Sequence, residues 1–82
     1  MVEVLYFSWV RERIGIPRES VDTKANTVRQ LVDELKAREP RYDMAFSDLS
    51  SVRVAIDQEL TDFDAPISGA REVAFFPPMT GG

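Results

Sequence analysis

Between Thr27 and Arg38 the apolar residues Val28, Leu31, Val32 and Leu35 fall at i, i+3, i+4 and i+7, and Asp33, Glu34, Lys36 and Arg38 fill other positions. That spacing predicts a helix with one apolar stripe. Thr27-Val28-Arg29-Gln30 matches a capping box, with Thr27 as the cap and Gln30 reaching back to it. Pro40 stops the helix. A helix that is apolar on one side only must be buried against another layer, and the other hydrophobic runs of the chain read as strands. The combination predicts an α+β fold in which one main amphipathic helix covers one face of a sheet.

The strands are recognised by alternation. Val2-Glu3-Val4-Leu5-Tyr6-Phe7 places Val2, Val4 and Tyr6 on one face and Glu3, Leu5 and Phe7 on the other. Ser8 to Ile14 reads as a short helix with Ser8 as N-cap and Gly15 just past its end. Arg18 to Asp22 is a short strand around Val21, and Arg41 to Ser51 docks Tyr42, Met44, Phe46 and Leu49 as a loop or short helix. Val52, Val54 and Ile56 point inward from a strand; Asp57-Gln58-Glu59 turns the chain into a return strand at Leu60-Thr61. Asp64 to Ala70 is loop, and Glu72 to Phe76 is the last strand. With no linker or repeat, residues 1–82 are expected to form one domain, with 77–82 as a flexible C-terminal tail.

The pleat also predicts a surface. Glu72 marks the face of Ala74 and Phe76 as solvent-facing, and Glu3 does the same for Leu5 and Phe7. Phe7 and Phe76 are then large apolar groups on the face opposite the helix, with Leu60 joining them. Aromatic side chains exposed together indicate a surface for a protein partner. A loop folded over them, or a one-residue bulge, would remove that surface.

Intrinsic chemistry is sparse. The chain has neither His nor Cys, so the usual general base, the usual zinc ligand and any thiol nucleophile or disulfide are missing. Neither a Walker-type loop nor Gly-x-Gly-x-x-Gly is present. Asp62 and Asp64 fit a carboxylate pair in form, but beside Pro66 a turn-forming role is favoured. Arg11-Glu12-Arg13 reads either as an interaction cluster or as a solvated helical face. A formal net charge of −4 without a basic run argues against nucleic-acid binding. No apolar stretch reaches membrane-spanning length and no signal pattern opens the chain, so a soluble, cytoplasmic protein with no membrane association is expected.

What remains is Phe75-Phe76-Pro77-Pro78-Met79-Thr80-Gly81-Gly82. The prolines favour an extended base, and the glycines suit a channel too narrow for a Cβ. From Phe76 to Gly82 an extended chain spans about 20 Å, enough to enter a neighbouring protein. The only reactive group at its tip would be the Gly82 α-carboxylate, which is ionised at neutral pH and unreactive until something else activates it.

The run Val73 to Gly82, the opening Val4-Leu5-Tyr6-Phe7 with Val10-Arg11-Glu12, and Asp62-Phe63-Asp64-Ala65-Pro66-Ile67 together resemble the MoaD family, ubiquitin-like small subunits of molybdopterin synthase. Ala70-Arg71 departs from the acidic Gly-Asp pair often found there. The resemblance implies a β-grasp fold with a mixed sheet. It implies a non-catalytic sulfur-carrying subunit of a sulfurtransferase, in which Gly82 is adenylated, becomes a thiocarboxylate and donates sulfur to cyclic pyranopterin monophosphate. Gly81 gives the tip passage; Phe7, Leu60, Phe76 and Arg11 form the partner surface. The implied partners are a MoaE-like large subunit, in a heterotetramer of two small and two large subunits, and a separate adenylyltransferase related to ubiquitin-activating enzymes. The domain itself binds no cofactor, and ATP is used by the activating partner. The alternatives are a sulfur carrier for thiamine or cysteine synthesis, a ubiquitin-like modifier, or a plain interaction module.

Overall fold

The computed structural model describes residues 1–78, so Met79, Thr80, Gly81 and Gly82 lie outside the described residues. The elements follow in the order β1 (Val2–Tyr6), α1 (Ser8–Ile14), β2 (Arg18–Val21), α2 (Val28–Arg38), α3 (Pro40–Ala45), a 3-10 turn at Leu49–Ser51, β3 (Arg53–Ile56), β4 (Glu59–Thr61) and β5 (Glu72–Phe76). The five strands form one sheet in the order β2-β1-β5-β3-β4. β1 and β5 are parallel, while β1–β2, β3–β4 and β3–β5 are antiparallel. This is the mixed β-grasp sheet that the resemblance implies.

Alternation decides which face is covered. Val2, Val4 and Tyr6 are buried, as are Val54, Val73 and Phe75. They share one core with Val28, Leu31, Val32 and Leu35 of α2. The same core takes Val10 and Ile14 from α1 and Tyr42, Ala45 and Phe46 from α3 and its end. Three helices thus cover one sheet face, with α2 the longest. Burying a side chain the size of Leu or Phe contributes on the order of 1.5–3 kcal/mol, so these contacts hold the layers together.

Phe75 is the hub of the aromatic part of this core. Its ring meets Phe46 edge-on at 4.9 Å and lies nearly parallel to Tyr6 at 6.2 Å and Phe63 at 6.5 Å. The strand that leads into Pro77 is therefore fixed at the centre of the sheet and pinned by its own buried ring.

Three local expectations need correction, and a fourth, for Pro40, is extended. Ser8 is not the cap of α1: Phe7 holds that position, and Ser8 is the first helical residue at φ 52°. The cause is pairing across the sheet, because the Phe7 N–H donates to the Phe75 carbonyl at 3.0 Å and keeps the chain extended for one more residue. At α2 the Thr27 hydroxyl does accept from the Gln30 N–H, at 3.2 Å, but the Gln30 side chain accepts from the Asn26 N–H rather than from Thr27. The chain around Thr27 forms a bridge to Pro66, with the Ile67 N–H donating to Asn26 and the Val28 N–H donating to Ala65, and this shifts the reach of Gln30 by one residue. Pro40 ends α2 and also begins α3 in the first helical turn, where its missing N–H costs nothing. Finally, Val52 is buried just ahead of β3 rather than inside it, and Ile56 is only half-buried.

Candidate functional site

The uncovered face of the sheet carries the site. Cross-strand register brings Leu5 opposite Ala74, Ala74 opposite Ala55, and Ala55 opposite Leu60. This makes an apolar row across four strands, about 14 Å long at the usual strand spacing. Leu60 stands 71% exposed at its end. Ala74, expected to be solvent-facing, is buried, because a methyl group between two directly opposed neighbours on a central strand is covered by them.

The aromatic pair lies next to this row. Tyr6 pairs with Phe75, and one step further the same parallel register puts Phe7 beside Phe76. Phe7 is 44% exposed and Phe76 half-buried. Phe7, Leu60 and Phe76 therefore do share one face, Phe7 and Phe76 at the end where β5 runs into the half-buried Pro77 and Pro78, and Leu60 on the edge strand β4 level with Ala74. Arg11 is exposed but belongs to α1, on the adjoining helical layer rather than the sheet face. Gly81 and Gly82 are outside the described residues.

The polar rim is ordered by charge. Glu3 accepts from Arg18 Nε and from the Ser20 hydroxyl, both at 2.7 Å. The Ser20 hydrogen bond, then Arg18, holds its carboxyl below the usual carboxylate range. Away from this rim, Asp48 caps the 3-10 turn and is also lowered, by the Ser50 and Ser51 hydroxyls and the Ser50 N–H. Arg53 lies on the open face directly opposite Phe76, and it was not among the residues singled out from the sequence. The signal was present, since Arg53 sits between the inward-facing Val52 and Val54.

The other candidates have local roles. One Asp62 oxygen accepts from the Asp64 N–H at 2.9 Å, closing a turn, and Asp64 pairs with Arg29 of α2 at 3.0 Å. Among the described residues no group of three or more carboxylates is placed to hold a metal ion. Arg13 stacks over Trp9 at 5.2 Å, beside a groove of about 320 Å³ lined also by Met44 and Asp48. That groove also holds Ser47 and Ser51, and the Ser51 hydroxyl donates to Asp48 Oδ2 at 3.1 Å. No helix among the described residues is long and apolar enough to cross a membrane.

Residues 4–82 match the model of the ThiS family. The chain is 39% identical to the molybdopterin synthase sulfur carrier subunit of Escherichia coli over 82 residues, covering 100% of both chains. It is 30% identical to the molybdopterin synthase sulfur carrier subunit of Haemophilus influenzae, again over 100% of both. In structure it is similar to SAMP1 from Haloferax volcanii, with a TM-score of 0.77 and 23% identity, over 99% of this chain and 98% of that one. At that identity the structural likeness establishes the fold.

Proposed function

The chain belongs to the ThiS family, and from that premise we propose that it is the sulfur carrier subunit of a molybdopterin synthase. The observation that carries this reading is the apolar group of exposed Phe7 and Leu60 with half-buried Phe76 on the uncovered sheet face, beside the end where β5 leads into the C-terminal residues. Full-length relatives named for that role support it.

The chemistry follows from an inert carboxylate. A partner adenylyltransferase brings ATP to Gly82; a carboxylate oxygen attacks the α-phosphorus and pyrophosphate leaves. AMP is a good leaving group from the resulting mixed anhydride. A hydrosulfide-level donor attacks the acyl carbon, the C–O bond to AMP breaks, and a thiocarboxylate and a proton are formed. Within the large subunit, the thiocarboxylate sulfur attacks a carbon of the cyclic pyranopterin monophosphate, the C–O bond at that carbon breaks, and its oxygen leaves as phosphate ester or, once protonated, as water. Water then cleaves the acyl C–S bond and returns the Gly82 carboxylate. Acid–base groups and phosphate contacts come from the partners, in keeping with a chain that has neither His nor Cys. The role of this domain is to grip the partner with its aromatic face and direct Gly81-Gly82 into the partner's site.

Genetic complementation tests the pathway. Expression of the chain should restore molybdoenzyme activity to a strain lacking its own synthase small subunit and leave a thiamine-requiring sulfur-carrier mutant unrescued. The reverse pattern would assign the chain to thiamine synthesis.

A further inference from the structure

We infer that Arg53 selects the partner: the protein that covers the aromatic face presents a carboxylate to this guanidinium beside Phe76. The inference deepens the reading above and rests on the large subunit being the protein that docks here.

The geometry leaves little choice. Arg53 and Phe76 are directly opposed across β3 and β5, so both rise from the same face of the sheet. Any surface that covers Phe76 closely also covers Arg53. A guanidinium stays charged at every relevant pH and has five N–H donors. Enclosing it against apolar groups alone would strand the charge, which is unfavourable.

Its own neighbours do not satisfy it. Among the described residues Arg53 makes no ion pair and no side-chain hydrogen bond, whereas Arg18, the other arginine of this face, is paired with Glu3. One step past the Val54–Thr61 pair, the β3–β4 register leads to Asp62 opposite Arg53. Asp62 instead turns an oxygen to the Asp64 N–H at 2.9 Å. The group that fits a planar fork of donors is a carboxylate accepting in bidentate fashion. Charge complementarity of this kind fixes register and rejects wrong partners. Arg53 would thus favour an acidic large subunit surface over an apolar or basic one.

The test is calorimetric titration of the full chain into the molybdopterin synthase large subunit of the same organism, with Arg53→Glu and Arg53→Lys variants. Arg53→Glu should bind at least about tenfold more weakly, with Arg53→Lys in between and a shallower salt dependence for the reversal variant. Reversing the matching acid on the large subunit should restore affinity to Arg53→Glu. The thermal midpoint of the free chain should not move, because the residue is exposed. Arg53→Glu binding within about twofold of the unaltered chain overturns the inference while leaving the proposed function intact. A loss reproduced by Asp62→Asn, with no acid of the large subunit coupling to Arg53, also overturns it by assigning the carboxylate to this chain. Failure of the unaltered, folded chain to bind the large subunit overturns the proposed function itself, and the inference with it.

Discussion

Glu19 holds three neighbours at once. Its Oε2 accepts from the Tyr6 hydroxyl at 2.8 Å and from the Tyr42 hydroxyl at 2.6 Å, and its Oε1 lies 3.7 Å from Arg38 Nη1. One half-buried carboxylate therefore ties β2 to β1, α2 and α3. Burial first, and then the Glu19 hydrogen bond and charge, push the Tyr6 phenol well above the usual tyrosine range; Tyr42 is raised for the same reasons. A folded-state pKa above the unfolded one means that the folded chain keeps a proton which the unfolded chain releases. The stabilisation is thus complete below the unfolded value of about 10 and is lost as pH rises above it. The loss is about 1.4 kcal/mol per pH unit for one such tyrosine. Urea unfolding between pH 9 and about 11 should show this decline, and Tyr6→Phe should flatten it, at a cost near neutral pH of about 1 kcal/mol for the lost hydrogen bond. Equal alkaline slopes for the two proteins would contradict the assignment.

Among the elements, the β3–β4 hairpin shows most clearly what local physics specifies. Asp57 and Gln58 both have positive φ, 49° and 71°, the hand that a two-residue hairpin loop requires. Asp57 is well used: its Oδ1 accepts from the N–H groups of Arg71 and Glu72, both at 3.0 Å, anchoring the start of β5. Among the described residues Gln58 makes no comparable bond, so its left-handed backbone is mostly a cost. Gln58→Gly is expected to stabilise the fold by about 0.5–1 kcal/mol, the relieved strain exceeding the added unfolded-state entropy. A lower urea midpoint for that variant would show that the Gln58 side chain contributes more than its strain removes.

The elements also show why some of the fold was legible and some was not. Alternation in β1 and β5, the stripe of α2 and the glycine after α1 are set by near neighbours, and each was readable; Gly15 indeed adopts φ 96° at the end of α1. The 41–51 stretch was opaque because its order depends on distant residues. Tyr42 is buried where Glu19 can receive its hydroxyl, and Phe46 where Phe75 meets it edge-on. Ser8 departs from the expected cap position for the same reason, since the hydrogen bond that displaces it runs from the Phe7 N–H to the carbonyl of Phe75, near the other end of the chain. The aromatic face was readable from the pleat, whereas the place of Arg53 opposite Phe76 required strand pairing that periodicity does not contain.

For the molecule as a whole, strand order links fold to proposed function. β5, the last strand, is the middle strand of the sheet, hydrogen-bonded on both sides by β1 and β3. Residues beyond it are attached at the best-supported point of the domain, beside the face that a partner would grip. Phe76→Asp places a carboxylate within that apolar surface and opposite Arg53, while Phe75 keeps the core intact. Its affinity for the synthase large subunit should fall by at least about tenfold, roughly 1.4 kcal/mol, with little change in thermal midpoint. Unchanged affinity by calorimetry would remove Phe76 from the interface. Sulfur carriage at Gly82 is read out by intact-mass spectrometry. The protein is incubated with ATP, the cognate adenylyltransferase and a sulfide source, then weighed whole and as its C-terminal peptide. A gain equal to one oxygen replaced by sulfur, located at Gly82 and absent without ATP, is expected of a sulfur carrier. An unchanged mass with a folded chain and an adenylyltransferase that activates a control carrier would contradict it.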